Sequence, residues 1–107
     1  MWDYKALPKA GATEYFDPET GASYSYDLVA QELISYDTVT AVQGKTNYIT
    51  QKGLLGGSFW EASADKVGNE SLIGSVAGQL GSLDQSLNCL SYPDSQYANI
   101  VAGMPGE

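Results

Sequence analysis

The residues best suited to act on a ligand lie together in the segment Phe59–Asp65, where a tryptophan is followed by two carboxylates. Trp60 offers a large flat ring with a polar edge, a surface that can stack against the apolar face of a sugar. Glu61 and Asp65 could supply the carboxylate pair with which many glycosidases cleave their substrates. Each has a plainer interpretation, because Trp60 could pack at the end of a strand and the carboxylates could be solvated loop or helix-start charges.

The composition excludes several other kinds of chemistry. The 107 residues include thirteen Asp and Glu against five lysines, a net charge of -8, which would repel nucleic acid instead of releasing its counterions. There is no histidine, so Ser-His-Asp catalysis, Cys-His catalysis and most zinc sites are excluded. The single cysteine, Cys89, cannot form an internal disulfide and is predicted to be a small buried residue unless its partner lies elsewhere. No metal or organic cofactor is predicted.

The sequence also bears on membranes and secretion. No apolar run approaches the roughly 20 residues that span a bilayer, and the acidic residue soon after Met1 differs from the basic start of a signal peptide. We therefore expect a soluble piece without a membrane partner. Asn69-Glu70-Ser71 matches the N-glycosylation sequon, so Asn69 is a glycosylation candidate if the chain enters a secretory pathway.

The first half of the chain predicts a connector, two strands and a helix. A short helix is expected over Trp2–Leu7, and frequent proline and glycine predict turns from there to residue 21. Alternating small and aromatic residues predict a strand over Ala22–Asp27, and a second strand is expected over Glu32–Tyr36. A helix should then run to Lys52, since Asp37 or Thr38 can cap its start and a glycine follows its end. These ranges place two strands ahead of the helix.

The second half predicts another strand, a helix and a surface tail. Leu54–Trp60 is short, apolar and rich in glycine, which is typical of a buried strand. Asn69 or Ser71 can cap a helix with an apolar stripe that ends before residue 81, and a tail with a helical turn near Gln96–Ala102 follows. Successive strand-helix units favour an α/β fold with parallel strands. Two or three strands and two helices cannot cover both faces of such a sheet, so the chain is expected to belong to a larger fold.

Four ordered blocks of this sequence resemble the C-terminal third of fungal glycoside hydrolase family 18 endochitinases. The blocks are Trp2–Pro8, Tyr24–Asp27, Glu32–Thr38 and Gly56–Ser63, and the closing segments Leu90–Pro93 and Gly103–Pro105 also look like the end of such enzymes. The resemblance implies a (β/α)8 TIM barrel with a small α+β insertion domain. Residues 1–27 would be the end of the insertion domain and a connector. Residues 28–107 would be the last two strand-helix units of the barrel and the C-terminal tail.

The resemblance also implies an activity for the parent protein, whereas the chain alone is expected to be inactive. The family cleaves β-1,4-linked N-acetylglucosamine with retention, and the acetamido oxygen of the substrate itself attacks the anomeric carbon. Its general acid lies in an Asp-x-x-Asp-x-Asp-x-Glu motif, which is absent from these residues, so no catalytic residue is assigned here. Trp60 matches the family residue that forms the apolar floor under the sugar. The implied partners are chitin or chito-oligosaccharides and the remainder of the barrel, and the implied location is extracellular.

Two alternatives remain open at this point. The chain could be a stand-alone carbohydrate-binding module that keeps the sugar-facing aromatic residue without chemistry. It could also be an inert truncated product with no activity of its own. The unpaired edges of an open sheet count against the stand-alone module, because such edges favour aggregation or pairing with a partner.

Overall fold

A computed structural model describes residues 1–89 and 91–102 of the chain. Its first half is built on a three-stranded antiparallel sheet of the order β1-β2-β3. The strands are β1 (Thr13–Asp17), β2 (Ala22–Asp27) and β3 (Glu32–Ser35). In this sheet Tyr15 lies opposite Tyr24, and Ser25 lies opposite Ile34. The helices that follow the sheet are α1 (Val39–Lys52), α2 (Leu72–Leu80) and α3 (Ala98–Val101).

The two hairpin turns are closed by aspartates at the ends of the strands. The carboxylate of Asp17 accepts hydrogen bonds from the amide of Glu19 at 2.9 Å and the hydroxyl of Thr20 at 2.8 Å. The carboxylate of Asp27 accepts bonds from the amides of Val29 and Ala30 at 2.8 and 2.9 Å. Such side-chain bonds stabilise a tight turn. Short turns of this kind join antiparallel neighbours, which explains why the sheet is antiparallel.

Helix α1 begins and ends with clear capping residues, and its start is bonded to the sheet. The hydroxyl of Thr38 accepts a bond from the amide of Ala41 at 3.3 Å and shares a 2.7 Å hydrogen bond with the buried hydroxyl of Ser23 on β2. Gly53 ends the helix in the left-handed region, with φ of 63°, and its amide donates to carbonyls of the last turn. Both ends therefore have local partners, as helix termini require.

Helix α2 packs against α1 and is capped by Ser71. The hydroxyl of Ser71 accepts a bond from the amide of Gly74 at 2.8 Å. Between the two helices, the side-chain amide of Gln79 donates to the side-chain oxygen of Asn47 at 2.6 Å and to the backbone carbonyl of Gln43 at 3.3 Å. In the described part of the chain, the buried apolar side chains are Leu7, Ala41, Val42 and Val76. This core is small and lies where α1, α2 and the N-terminal segment meet.

The structure confirms the predicted helices and two of the three predicted strands, with small shifts at their ends. The short helix predicted over Trp2–Leu7 is a 3-10 turn at Tyr4–Ala6, and the predicted turn near Gln96–Ala102 is α3. The strand β1 was not predicted, because that region was interpreted as a connector. Residue 90 and residues 103–107, which include parts of the closing segments of the resemblance, lie outside the described residues.

Three expectations about packing are wrong. The described strands pair antiparallel, not parallel, so this part of the chain is an α+β piece in which a sheet precedes the helices. Leu54–Trp60 is not a strand within residues 1–89 and 91–102, because none of these residues forms a ladder with it. Cys89 is exposed instead of buried, because it lies in the irregular segment after α2. Within the described ranges, no helix has the length and apolar character that crossing a membrane requires.

Candidate functional site

A groove of about 530 Å³ lies between the N-terminal segment, α1, α2 and the segment that ends at Trp60. Its floor is apolar, with Val42 and Ile49 from α1 and Val76 from α2. Its walls combine charged side chains, among them Asp37, Lys45 and Glu61, with the aromatic side chains of Trp2, Tyr4, Tyr36, Phe59 and Trp60. A concave surface of this kind, apolar with a few polar groups, is where small ligands usually bind.

Trp60 is the most accessible aromatic residue of the groove. Its side chain is 99% exposed, so the described residues do not bury it as a strand-end packing residue. The Trp60–Glu61 peptide bond is cis, and a 3-10 turn at Ala62–Ala64 follows. A large solvent-exposed aromatic ring next to an apolar groove is typical of a site that contacts a ligand or another protein segment. This geometry leaves the ring face available for stacking.

The two carboxylates of the segment Phe59–Asp65 have different surroundings. Glu61 is exposed and accepts a short hydrogen bond from the hydroxyl of Ser63. Asp65 is partly buried, and its carboxylate accepts four hydrogen bonds. One comes from the hydroxyl of Ser71 at 2.7 Å. The others come from backbone amides, those of Lys66 and Leu72 at 2.9 Å and that of Ile73 at 3.2 Å.

These bonds decide the charge state of Asp65. Burial alone would raise its pKa, but the bonds from Ser71 and the backbone amides outweigh burial and hold the pKa below the ordinary value. The carboxylate therefore stays ionised and anchors the start of α2. This is the helix-start role, so Asp65 is not free to act as the second member of an acid-base pair.

Two phenols of the groove wall, Tyr4 and Tyr36, lie next to each other, and Tyr36 is bonded to a carboxylate outside the groove. The hydroxyl of Tyr36 donates to the carboxylate of Glu14 at 2.7 Å, and the rings of Tyr36 and Tyr4 lie 6.3 Å apart. Burial, together with the bond to Glu14, raises the pKa of Tyr36 to about 12. Burial also raises the pKa of Tyr4, with Glu70 adding to the effect. Both phenols therefore remain neutral hydrogen-bond donors at physiological pH.

Comparisons with known proteins give the family. Residues 1–65 match the model of the glycosyl hydrolases family 18. The chain belongs to this family. It is 53% identical over 100 residues to Endochitinase 1 of Metarhizium robertsii, covering 94% of this chain and 24% of that protein. It is 51% identical over 104 residues to Chitinase 1 of Aphanocladium album, covering 97% of this chain and 25% of that protein.

A solved structure agrees with this assignment. Chitinase ChiA74 from Bacillus thuringiensis is similar with a TM-score of 0.63 and 28% sequence identity, over 78% of this chain and 15% of that one. The resemblance inferred from the four ordered blocks is thus confirmed at the level of the family and of its fungal endochitinases. The chain spans about a quarter of the length of the curated relatives that it matches.

The matched part of this family 18 chain contains most of the groove. Residues 1–65 include Trp60, the aromatic wall and Asp65, whereas α2 lies beyond the match. The sequence analysis gives no role to Tyr4 and Lys5, which donate hydrogen bonds to backbone carbonyls in the loop that follows Trp60. The signal that could have found them was their place in the first block, Trp2–Pro8, which carried the resemblance without being given a role.

Asn69 lies in an exposed 3-10 turn, Gly68–Glu70, immediately before α2. Its exposure leaves room for a glycan on the sequon. Among residues 1–89 and 91–102, no three potential metal ligands of the His, Cys, Asp or Glu type lie close enough to hold an ion.

Proposed function

We propose that this chain is the C-terminal part of a chitinase that hydrolyses β-1,4-linked N-acetylglucosamine by the retaining, substrate-assisted mechanism of family 18. One observation carries the proposal: in a chain of this family, Trp60 holds a fully exposed ring at the edge of an apolar groove. The names of the relatives support it, since they are called endochitinase and chitinase. Chitin or chito-oligosaccharides are the proposed substrates.

The proposed role of Trp60 is to position the substrate. Its ring would support the apolar face of the sugar at the cleavage site and hold that sugar in a distorted shape. In this shape the acetamido oxygen lies close to the anomeric carbon, which lowers the entropic part of the barrel enzyme's activation barrier. The general acid belongs to a motif absent from these 107 residues. We therefore expect the chain alone to lack hydrolytic activity.

The shape of the chain supports a place within a larger barrel. Its radius of gyration is 18.6 Å, whereas a compact domain of about 100 residues has a radius near 13 Å. The unpaired segment before Trp60 exposes Leu54, Leu55 and Phe59. Apolar side chains on an unpaired segment are expected to pack against neighbouring strands. The proposed partner is the remainder of the (β/α)8 barrel, in which residues 54–60 would form a strand and residues 1–27 would end the insertion domain.

The proposed location is extracellular, because the family resemblance includes secreted fungal enzymes. Asn69 would then meet the glycosylation machinery during secretion. The exposed ring of Trp60 also favours a second candidate function, in which the chain binds chito-oligosaccharides without cleaving them. Under the first function, a complete domain hydrolyses the substrate and depends on Trp60 to do so. Under the second function, it binds the sugar without hydrolysis.

The test compares variants of a full-length protein that contains this chain within a complete family 18 domain. Trp60→Ala should lower kcat/KM for chitotetraose by about 30-fold or more, since an aromatic stack over buried apolar area contributes about 2 kcal/mol or more. Tyr48→Ala is the matched control, because Tyr48 is an exposed aromatic residue on α1 that does not line the groove. Equal activity of the Trp60→Ala and Tyr48→Ala proteins would refute the role of Trp60. Sugar binding without turnover by the full-length protein would favour the second candidate.

A further inference from the structure

The loop after Trp60, residues 61–70, is held by two side chains from the N-terminal segment. The ammonium group of Lys5 donates to the carbonyl oxygen of Ser63 at 2.7 Å. The hydroxyl of Tyr4 donates to the carbonyl oxygen of Glu70 at 3.0 Å. These partners lie 58 and 66 positions apart in the sequence. One contact falls near the beginning of the loop and the other at its end, so the N-terminal segment spans the loop.

A third side chain closes this arrangement from the side of the loop. The ammonium group of Lys66 lies 4.8 Å from the centre of the Tyr4 ring and bonds the carboxylate of Glu70 at 3.1 Å. The side chain of Lys66 is only 15% exposed. A cation over an aromatic face is stabilising, more so when it is partly shielded from water. Tyr4 therefore meets the loop both through its hydroxyl and through its ring.

The position of Trp60 depends on this loop. The ring is 99% exposed, so contacts with the described residues do not hold it in place. Its placement follows from the backbone on each side, and the backbone after it runs directly into the loop. The carboxylate of Asp65 ties the middle of the loop to the start of α2. The bonds from Tyr4 and Lys5 tie the loop to the wall of the groove that contains Tyr4.

We propose that Tyr4 and Lys5 are positioning residues that fix the loop 61–70 and thereby fix the ring of Trp60 for sugar binding. This proposal rests on the proposed function, in which Trp60 supports the sugar. A loop that is ordered before the ligand arrives loses less conformational entropy on binding. The individual bonds are exposed and each contributes modestly to stability. These bonds therefore keep the loop ordered, and they have little effect on the global stability of the fold.

The variants are chosen to remove the bonds while keeping the bulk of the side chains. Tyr4→Phe removes the hydroxyl but retains the ring that meets Lys66. Lys5→Met removes the ammonium group and keeps a chain of similar length, and Lys5→Arg restores a donor as the rescue variant. Tyr48→Phe is the control for loss of an exposed phenol, since Tyr48 does not line the groove. All are made in the full-length protein, with and without Trp60→Ala.

Two measurements are needed, one of which does not involve sugar. Hydrogen exchange of the backbone amides of residues 61–71 should become about three- to tenfold faster in the Tyr4→Phe, Lys5→Met protein, because two exposed bonds of modest strength no longer hold the loop closed. The value of kcat/KM for chitotetraose should fall about three- to tenfold in the same protein. Lys5→Arg should recover most of the loss that Lys5→Met causes.

The Trp60→Ala background separates positioning from general support. If Tyr4 and Lys5 act through Trp60, their removal from the Trp60→Ala protein should change kcat/KM by less than about twofold. An equal loss in both backgrounds, or no loss with Trp60 present, would overturn the proposal while leaving the role of Trp60 intact. Exchange of residues 61–71 that matches the Tyr48→Phe control would also overturn it. If Trp60→Ala alone has no effect on activity, the proposed function fails and this positioning role fails with it.

Discussion

Asp65 joins the loop that follows Trp60 to the start of α2, and its removal should loosen this junction. The carboxylate accepts bonds from three backbone amides and from the hydroxyl of Ser71. In Asp65→Ala these donors lose their common acceptor, although water can reach part of the site because the residue is only partly buried. Replacing a side chain that bonds the first amides of a helix costs about 0.5–2 kcal/mol, and bonds to a charged group lie at the upper end. We expect a loss near 2 kcal/mol.

Hydrogen exchange of the amides of Leu72 and Ile73 measures this effect where it arises. A loss of about 2 kcal/mol corresponds to roughly 30-fold faster exchange through local opening. Asp84→Ala is the matched control, because Asp84 also accepts from a backbone amide and a hydroxyl, but both belong to Ser86 in its own turn. We expect that control to change exchange at the start of α2 by less than twofold. Equal exchange rates in the Asp65→Ala and Asp84→Ala proteins would refute the anchoring role.

The pH dependence gives the sign of the same effect. The pKa of Asp65 in the folded protein lies below the ordinary value of 3.8, because the bonds from Ser71 and the backbone amides outweigh burial. A carboxyl group with a lowered folded pKa contributes stability that is present above the unfolded pKa and is lost as the pH falls through the folded pKa. The difference in denaturant midpoint between the wild-type and Asp65→Asn proteins should therefore be largest above about pH 5 and shrink below the ordinary pKa. A difference that grows on acidification would contradict this account.

Three further changes have expected outcomes. Thr38→Val should lower the free energy of unfolding by about 2 kcal/mol in urea denaturation. It removes the cap on the amide of Ala41 and leaves the buried hydroxyl of Ser23 without its 2.7 Å partner. An unchanged urea midpoint would contradict this expectation. Gly53→Ala should cost about 1 kcal/mol in the same assay through its φ of 63° alone, since a Cβ atom there meets nothing within 4 Å. Asn69→Gln should abolish the added glycan mass when the protein is secreted from a eukaryotic host, and intact masses that differ only by the Asn-to-Gln replacement would show that the sequon is unused.

The helices were predictable because their signals are local. Thr38 and Ser71 are cap residues placed directly before apolar stripes, and Gly53 stands where a left-handed residue ends a helix. Each of these signals acts within a few residues of the position that it defines. The boundaries of α1 and α2 follow from them without knowledge of the rest of the fold.

The strands were harder, because a strand is defined by its partner. Thr13–Asp17 shows no clear alternation of apolar and polar residues, and it is a strand because Tyr15 and its neighbours pair with β2. Leu54–Trp60 has the apolar composition of a buried strand, yet no described residue offers it a ladder. The local pattern indicates a tendency to form a strand at Leu54–Trp60 only. In both segments, the presence or absence of a pairing partner decides whether a strand forms.

The candidate site was predictable in its central residue and not in its surroundings. Trp60 stands out by residue type and by its place after an apolar segment, and its role in sugar binding stays a prediction. The contacts of Lys5 with Ser63 and of Tyr4 with Glu70 join residues 58 and 66 positions apart. No periodicity within a helix or strand reports such a contact, and the place of Tyr4 and Lys5 in the first block marks these two residues without giving their partners. Asp65 was correctly weighed as a helix-start charge, since carboxylates are favoured near the first turn of a helix.

Trp60 stands between two kinds of restraint, and the described residues supply the one that follows it in the sequence. After Trp60, the backbone is tied by Asp65 to α2 and by Tyr4 and Lys5 to the N-terminal segment. Before Trp60, the exposed Leu54–Phe59 segment has no strand partner among the described residues, so it keeps more conformational freedom. Under the proposed function, neighbouring barrel strands would supply that second restraint. Sugar binding by the chain alone should then be weaker than in the full-length protein even with Trp60 intact, because the chain must order this segment when the sugar binds.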